Sequence, residues 1–292
     1  MLQMVRNILL TLMAAILAGC NQFEVKGLFV PTGDVVQKRF EQSAQMNKDL
    51  KMSSLSAESD YCFYVATDPH IYETSHNLEI FNDAFRNDPE ALFGVVLGDC
   101  IDVKDNLPKY LAALSFSPDR HKFDHALFHV LGNHDLYFNG WDDFRELIGP
   151  SVYWFEVVSP DGKDLFISLD TATGTLGGKQ ARWLRSFLSE NRKDYRHCVI
   201  LTHVNIFYTD NSQVTSGNLP IEETYALLDL LGSHNVSLVL QGHDHYREDL
   251  TLEDVRYTVL GTIKDEAEAP EYLKVKASDT GLDLDWRTLA ER

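Results

Sequence analysis

Cysteine is scarce in these 292 residues, and none of it shows paired spacing. Of four cysteines, Cys62, Cys100 and Cys198 lack the repeated spacing of a disulfide framework or a zinc knuckle. Cys62 and Cys198 lie in apolar runs and read as small buried hydrophobes, and nothing in the spacing supports a bridge between them. Long apolar runs are missing as well. The stretch from Ile8 to Ala18 is too short to span a bilayer comfortably, and nothing in the composition suggests a polytopic helical membrane protein. Positive charge is in deficit, with 26 Lys and Arg against 44 Asp and Glu. This balance argues against nucleic-acid binding through a basic surface, and it repels anionic substrates at long range. Low-complexity segments and internal repeats are absent, and 44% of the residues are hydrophobic, enough for one sizeable core.

The first residues have the order of a targeting segment: Arg6, the short apolar run, then Leu17-Ala18-Gly19-Cys20. The last four resemble the lipobox of bacterial lipoproteins. That resemblance implies removal of residues 1–19 and acylation of Cys20, which would anchor the chain in one leaflet of a bacterial cell-envelope membrane. Asn21 is compatible with sorting to an outer membrane. The mature chain then keeps 25 basic and 44 acidic residues, a formal charge of −19. Residues 20–33 read as a tether, and residues 34–292 as one domain.

Within that domain, residues 34–50 have one apolar helical face, and the Ser-rich stretch from Met52 to Asp60 reads as a loop. From Tyr61 onward, short apolar strands alternate with helices. Strands are expected at Tyr61–Thr67, Leu92–Leu97, Ala126–Leu131, Cys198–Thr202 and Val236–Leu240. Helices are expected at Leu78–Phe85, 107–115, Gln180–Asn191 and Ile221–Leu231. A hairpin turns at Pro160-Asp161-Gly162, and the tail alternates over Val255–Leu260, Tyr272–Lys276 and Leu282–Trp286. The pattern is that of an α/β sheet with antiparallel additions.

Chemistry concentrates in five motifs: Asp68-Pro69-His70, Gly98-Asp99-Cys100-Ile101-Asp102, Gly132-Asn133-His134-Asp135, Thr202-His203 and Gly242-His243-Asp244-His245. Each follows an apolar strand. In open α/β sheets the carboxyl ends of strands meet at one edge, so all five can share one crevice. Imidazole with carboxylate suits divalent manganese, iron, zinc or nickel.

In this order, the motifs resemble those of the calcineurin-like metallophosphoesterase family over roughly residues 61–250. The resemblance implies a four-layer α/β/β/α sandwich with two mixed sheets. It implies two divalent metal ions: Asp68, His70 and His245 on one, Asn133, His203 and His243 on the other, Asp99 bridging. It gives His134 the substrate and leaving group, with Asp102 orienting it. The implied reaction is hydrolysis of a phosphomonoester or phosphodiester of a small organophosphate by a metal-bridged hydroxide. Two cations would also supply the positive charge that the chain lacks. A metal-retaining binding protein without turnover is the alternative.

Two family features are missing. Val103 and Lys104 stand where the protein phosphatases carry an arginine. Asp102 stands where the purple acid phosphatases carry a tyrosine ligand. Cys100 is expected to pack in the strand rather than bind metal. His76, His121, His125, His129, His197 and His234 match no family position and are expected on the surface or satisfied in the core. Asp135 and Asp244 read as supporting or surface groups. Tyr72, Tyr137 and the polar loop from Asn205 to Leu219, with Phe207, Tyr208, Asn211 and Asn218, are candidates to line the pocket.

Overall fold

The computed structural model describes residues 32–115, 125–207 and 219–289. The cleavage site, Cys20, His121, Tyr208, Asn211 and Asn218 lie outside these residues.

A helix, α1 (Thr32–Met46), leads into β1 (Lys51–Ser56) and β2 (Tyr61–Ala66). There follow α2 (His76–Arg86), β3 (Ala91–Val96), α3 (Leu107–Ser115), β4 (Ala126–His129) and α4 (Trp141–Leu147). The hairpin β5 (Tyr153–Ser159) and β6 (Gly162–Ser168) precedes α5 (Gly177–Asn191) and β7 (His197–Leu201). The chain closes with α6 (Ile221–Ser233), β8 (Leu238–Gln241), β9 (Glu248–Leu252), β10 (Val255–Val259), β11 (Glu271–Ser278) and β12 (Gly281–Thr288).

The strands form two mixed sheets, flanked by helices. One has seven strands in the order β1-β5-β6-β7-β8-β10-β9; the other has five, β12-β11-β2-β3-β4. Strands β2, β3 and β4 run parallel in the small sheet, and β6, β7, β8 and β10 in the large one. Three apolar layers hold this arrangement. Phe63, Phe93, Phe128, Phe155 and Phe166 fill the space between the sheets, with Phe128 and Phe155 stacked at 3.8 Å. Leu184 and Leu188 of α5 and Leu227 and Leu231 of α6 cover the outer face of the large sheet. Phe81 and Phe85 of α2 and Tyr110 of α3 cover that of the small sheet. Alternate side chains of each strand serve opposite layers, as period two requires.

Three stretches depart from the sequence reading, one of them α4, a helix that was not expected. Residues 51–56 are a strand, not a loop. Strand β1 is the parallel edge partner of β5, and Lys51 and Ser54 hydrogen-bond to Glu156 on it. Strand β9 was not expected; it is the opposite edge, antiparallel to β10. Both edges are polar and half exposed, so neither carries a run of apolar residues. The cysteines Cys62, Cys100 and Cys198 are buried and free.

Candidate metal centre

Asp68, Asp99 and Asn133 follow the carboxyl ends of β2, β3 and β4. His203 and His243 follow β7 and β8. The ends of the parallel strands in both sheets therefore deliver the motifs to one place. The loops after β2 and β3 run side by side: Asp68 N donates to Gly98 O (3.1 Å), and His70 N to Asp99 O (3.1 Å). Gly242 N donates to His203 O (3.0 Å), joining the two loops of the large sheet.

Turning sharply off a strand costs backbone strain, and the strain collects here. Asp68, His70, Asp99, His243 and His245 all have positive φ, between 43° and 70°. For residues with a Cβ this conformation costs about 1–3 kcal/mol each, so surrounding contacts must enforce it. Those contacts are visible around Asp68. Thr67 Oγ1 donates to its Oδ2 (2.5 Å), His243 N donates to the same oxygen (3.0 Å), and Thr262 Oγ1 donates to its carbonyl (2.6 Å). Gly242 packs on Thr67 and Asp68 with no room for a Cβ, and Gly132 does the same against Asp99.

Two groups of donors result. Asp68 Oδ1 faces His245 Nε2 (3.2 Å) and His70 Nε2 (3.6 Å), and the two ring nitrogens stand 3.0 Å apart. Asp99 Oδ1 accepts His134 N (2.7 Å), which leaves Oδ2 toward His203 Nε2 (3.3 Å) and His70 Nε2 (3.6 Å). One oxygen of Asp99 thus faces both groups. His203 Nε2 also lies 3.0 Å from Asn133 Oδ1, while the Nδ2 of Asn133 donates to Tyr137 Oη (3.3 Å). The ligand-type atoms of Asp68, His70 and His245, and those of Asp99, His203 and His243, each lie within 4.8 Å of one another. A third trio, His70, Asp99 and His134, meets the same limit.

The donor set fits divalent cations on two observations. First, the Nδ1–H of His203 donates to Leu97 O at 2.8 Å, which turns the lone pair of Nε2 into the site. Second, the buried carboxylates carry more negative charge than their surroundings offset. Burial alone would lower the pKa of His203, but Asp99 and Asp68 drive it up to about 9. Burial would raise Asp68, yet His203 and hydrogen bonds from His245 and His70 hold it well below the usual carboxylate range. Protons on imidazoles occupy the electrostatic place that a cation would take.

Each of the seven residues expected to bind metal is at this crevice, with His134, expected to act on substrate, and Asp102, expected to orient it. Asp102 differs in detail from its expected contact. Its carboxylate is 3.5 Å from both His134 Nδ1 and His70 Nδ1, whereas its backbone carbonyl is 3.2 Å from His134 Nδ1. The carbonyl is therefore the nearer acceptor for the His134 ring. Cys100 is buried and belongs to no ligand trio. Asp135 and Asp244 are buried, not surface groups. Asp135 accepts Cys100 N and Gly132 N (both 2.9 Å), tying two motif loops together, and Asp244 accepts Asn205 Nδ2 (2.6 Å). Burial and the neighbouring Asp99 push Asp135 up to about 7. Thr67 and Thr262 support the motifs without having been singled out from sequence, and Asn205, expected only to open a pocket-lining loop, holds Asp244. Tyr137 packs its ring 4.5 Å from that of His134, and Tyr72 is exposed nearby in sequence to His70.

A model of the calcineurin-like phosphoesterase family matches residues 63–247. The chain belongs to that family. Membership supports metal-dependent phosphoester hydrolysis in general. Solved structures share the fold at low identity. GAP50, the anchor in the inner membrane complex of Plasmodium, aligns with a TM-score of 0.64 and 16% identity over 79% of this chain and 85% of its own. The purple acid phosphatase PPD1 from yellow lupin seeds gives 0.61 and 12%, over 80% and 52%. A putative 5′-nucleotidase from Staphylococcus aureus gives 0.51 and 18%, over 80% and 55%. The chain thus spans about half the length of the latter two. No curated protein matches it.

Proposed function

We propose that this phosphoesterase hydrolyses a small phosphomonoester or phosphodiester with two divalent cations, manganese, iron, zinc or nickel. The carrying observation is the position of Asp99 Oδ2 between the two donor groups. Asp68, His70 and His245 would hold one cation and Asn133, His203 and His243 the other, with Asp99 shared between them. When bound, divalent ions would supply an acidified water and offset charge on the phosphoryl oxygens.

The chain's own residues do the rest. His134 is 27% exposed in its side chain, at the open side of the crevice, and its Nδ1 faces the carbonyl and carboxylate of Asp102. That leaves Nε2 to protonate the leaving oxygen or to bind a phosphoryl oxygen. The phosphate is gripped without the arginine of the protein phosphatases, since Val103 and Lys104 stand there. Small soluble organophosphates therefore suit the site better than phosphoproteins. The deficit of basic residues makes nucleic acid an unsuitable partner.

We also assign the chain to the bacterial cell envelope, anchored through acylated Cys20 after loss of residues 1–19. What supports this is the order of Arg6, the apolar run and Leu17-Ala18-Gly19-Cys20.

The test is release of para-nitrophenol from its mono- and bis-phosphate, with each metal or with chelator, in wild type, His134→Ala and Asp99→Asn. Metal-dependent turnover lost in both variants supports the enzyme. Bound metal without turnover on either ester favours the metal-retaining binding protein instead.

A further inference from the structure

The outer face of α5 departs from the charge balance of the molecule. Its inward residues, Gln180, Leu184 and Leu188, are buried. The exposed positions one and two turns apart are Gly178, Arg182, Arg185, Ser186 and Ser189, and Lys193 continues the line past the helix end. This stripe carries three cations and no carboxylate. Exposed Glu190 borders the stripe, about 40° around the helix from Ser186 and about 60° from Lys193, and Asp194 follows at the end.

Among the described residues, scattered basic side chains such as Lys38, Lys48, Lys104 and Lys264 also stand outside ion pairs, but most of the rest are paired. Lys51, Lys163, Arg196, Arg247, Arg256, Lys274 and Arg287 each meet a carboxylate within 4.0 Å. Among the described residues, Arg182, Arg185 and Lys193 form no ion pair. Arg192, at the stripe's edge, donates only to the carbonyls of Asn235, Tyr195 and Arg196 and so keeps its full charge. In a chain with 44 acidic residues, a line of three cations held in no ion pair is the opposite of what composition favours.

The stripe's position adds a second argument. Helix α1, the first element after the tether, packs directly on α5: Phe40 lies 6.0 Å from Trp183, and Glu41 pairs with Lys179. Cys20 is twelve residues before Thr32, a span of at most about 40 Å when extended. Trp183 and Phe187 lie half-buried on the Glu190 side of the stripe, 5.3 Å apart, and pack on Phe40 and Trp154.

We propose that the Arg182–Arg185–Lys193 stripe of α5 docks on a membrane surface of anionic phospholipids, fixing how the domain lies on the bilayer. The inference rests on the envelope reading above for its biological setting, but not for its physics. Charges on the remote faces are screened beyond about 10 Å at 0.1 M salt, so the local stripe governs contact despite the net negative charge. Each basic residue near such a surface contributes about a fivefold gain in affinity, so three contribute on the order of 100-fold.

The test is sedimentation with vesicles, using the mature chain from residue 20 with Cys20→Ser, which retains every described element. Without acyl chains and without turnover, the outcome is independent of lipidation and of catalysis. Binding is expected at about 0.1 M salt, where the remote charges are screened, to phosphatidylcholine vesicles containing phosphatidylglycerol, and not to phosphatidylcholine alone. The triple variant Arg182→Gln/Arg185→Gln/Lys193→Gln should lose it by on the order of 100-fold while keeping the wild-type melting temperature. A control, Lys104→Gln/Lys264→Gln, should bind as wild type. Absence of binding to the anionic vesicles, equal binding by the triple variant, or tighter binding to double-stranded DNA than to vesicles would each overturn the proposal.

Discussion

Gly132→Ala is the sharpest small perturbation of the site. Gly132 sits against the backbone nitrogen and carboxylate of Asp99, and an added methyl would overlap both. These are not flexible side-chain ends. Asp99 has positive φ, its Oδ1 holds His134 N, and Gly132 N is itself held by Asp135. Relief requires the two loops to part by roughly 1 Å, a displacement that costs about 100-fold when it falls on reacting groups. A 100-fold loss is about 2.7 kcal/mol of transition-state stabilisation. Overpacking adds about 1–3 kcal/mol of lost stability. The assay is kcat/KM for the preferred para-nitrophenyl ester beside thermal unfolding of the same preparation. Gly261→Ala is the control, because its Cβ would meet only the His245 carbonyl at 3.9 Å, and it should change stability by less than about 0.5 kcal/mol. Wild-type kcat/KM in Gly132→Ala would refute the reasoning, since Asp99 would then tolerate displacement.

Three further outcomes follow from groups away from the reacting centre. Arg39 of α1 holds Asp170 through two buried hydrogen bonds of 2.7 and 3.0 Å, so Arg39→Ala should cost about 3–5 kcal/mol in denaturant unfolding; a loss below about 1 kcal/mol would contradict this. His129 has a buried ring Nε2 with no partner, and burial pushes its pKa down to about 4. With the folded value below the unfolded one near 6.5, the unfolded chain takes the proton first. Stability should therefore fall by up to about 3 kcal/mol as pH drops from 6.5 to 4, and His129→Phe should flatten that window; parallel curves for both proteins would refute it. The thiols of Cys62, Cys100 and Cys198 are buried, with Cys198 pushed up to about 12, so a thiol reagent should reach three groups only after unfolding; ready reaction in the native Cys20→Ser protein would contradict the packing.

The motifs were legible because the physics that places them is local. Each ligand-type residue directly follows a run such as Val95-Val96-Leu97 or Val239-Leu240, and parallel strand ends share an edge. The edges of the large sheet were not legible. Lys51–Ser56 and Glu248–Leu252 are polar and half exposed, and they are strands because neighbours offer hydrogen bonds, not because of their own side chains. Helix α5 starts at Gly177, three residues before the expected Gln180, since the glycine pair hides its first turn. The insertion of β11 between β12 and β2 had no sequence signal, as sheet order depends on contacts far apart in the chain. The positive φ values of Asp68, His70, Asp99, His243 and His245 were equally hidden. They are enforced by Thr67, Thr262 and the two packed glycines, all of which act through tertiary contact. The burial of Asp135 and Asp244 belongs to the same class.

The most direct test of the central assignment is metal content per chain, measured by elemental analysis after loading with manganese and removal of free ion. The account predicts two ions in wild type, two in inactive His134→Ala, and fewer than two in Asp99→Asn. No bound ion in wild type, or loss of an ion in His134→Ala, would contradict it: the first would remove the metal centre, and the second would make His134 a ligand.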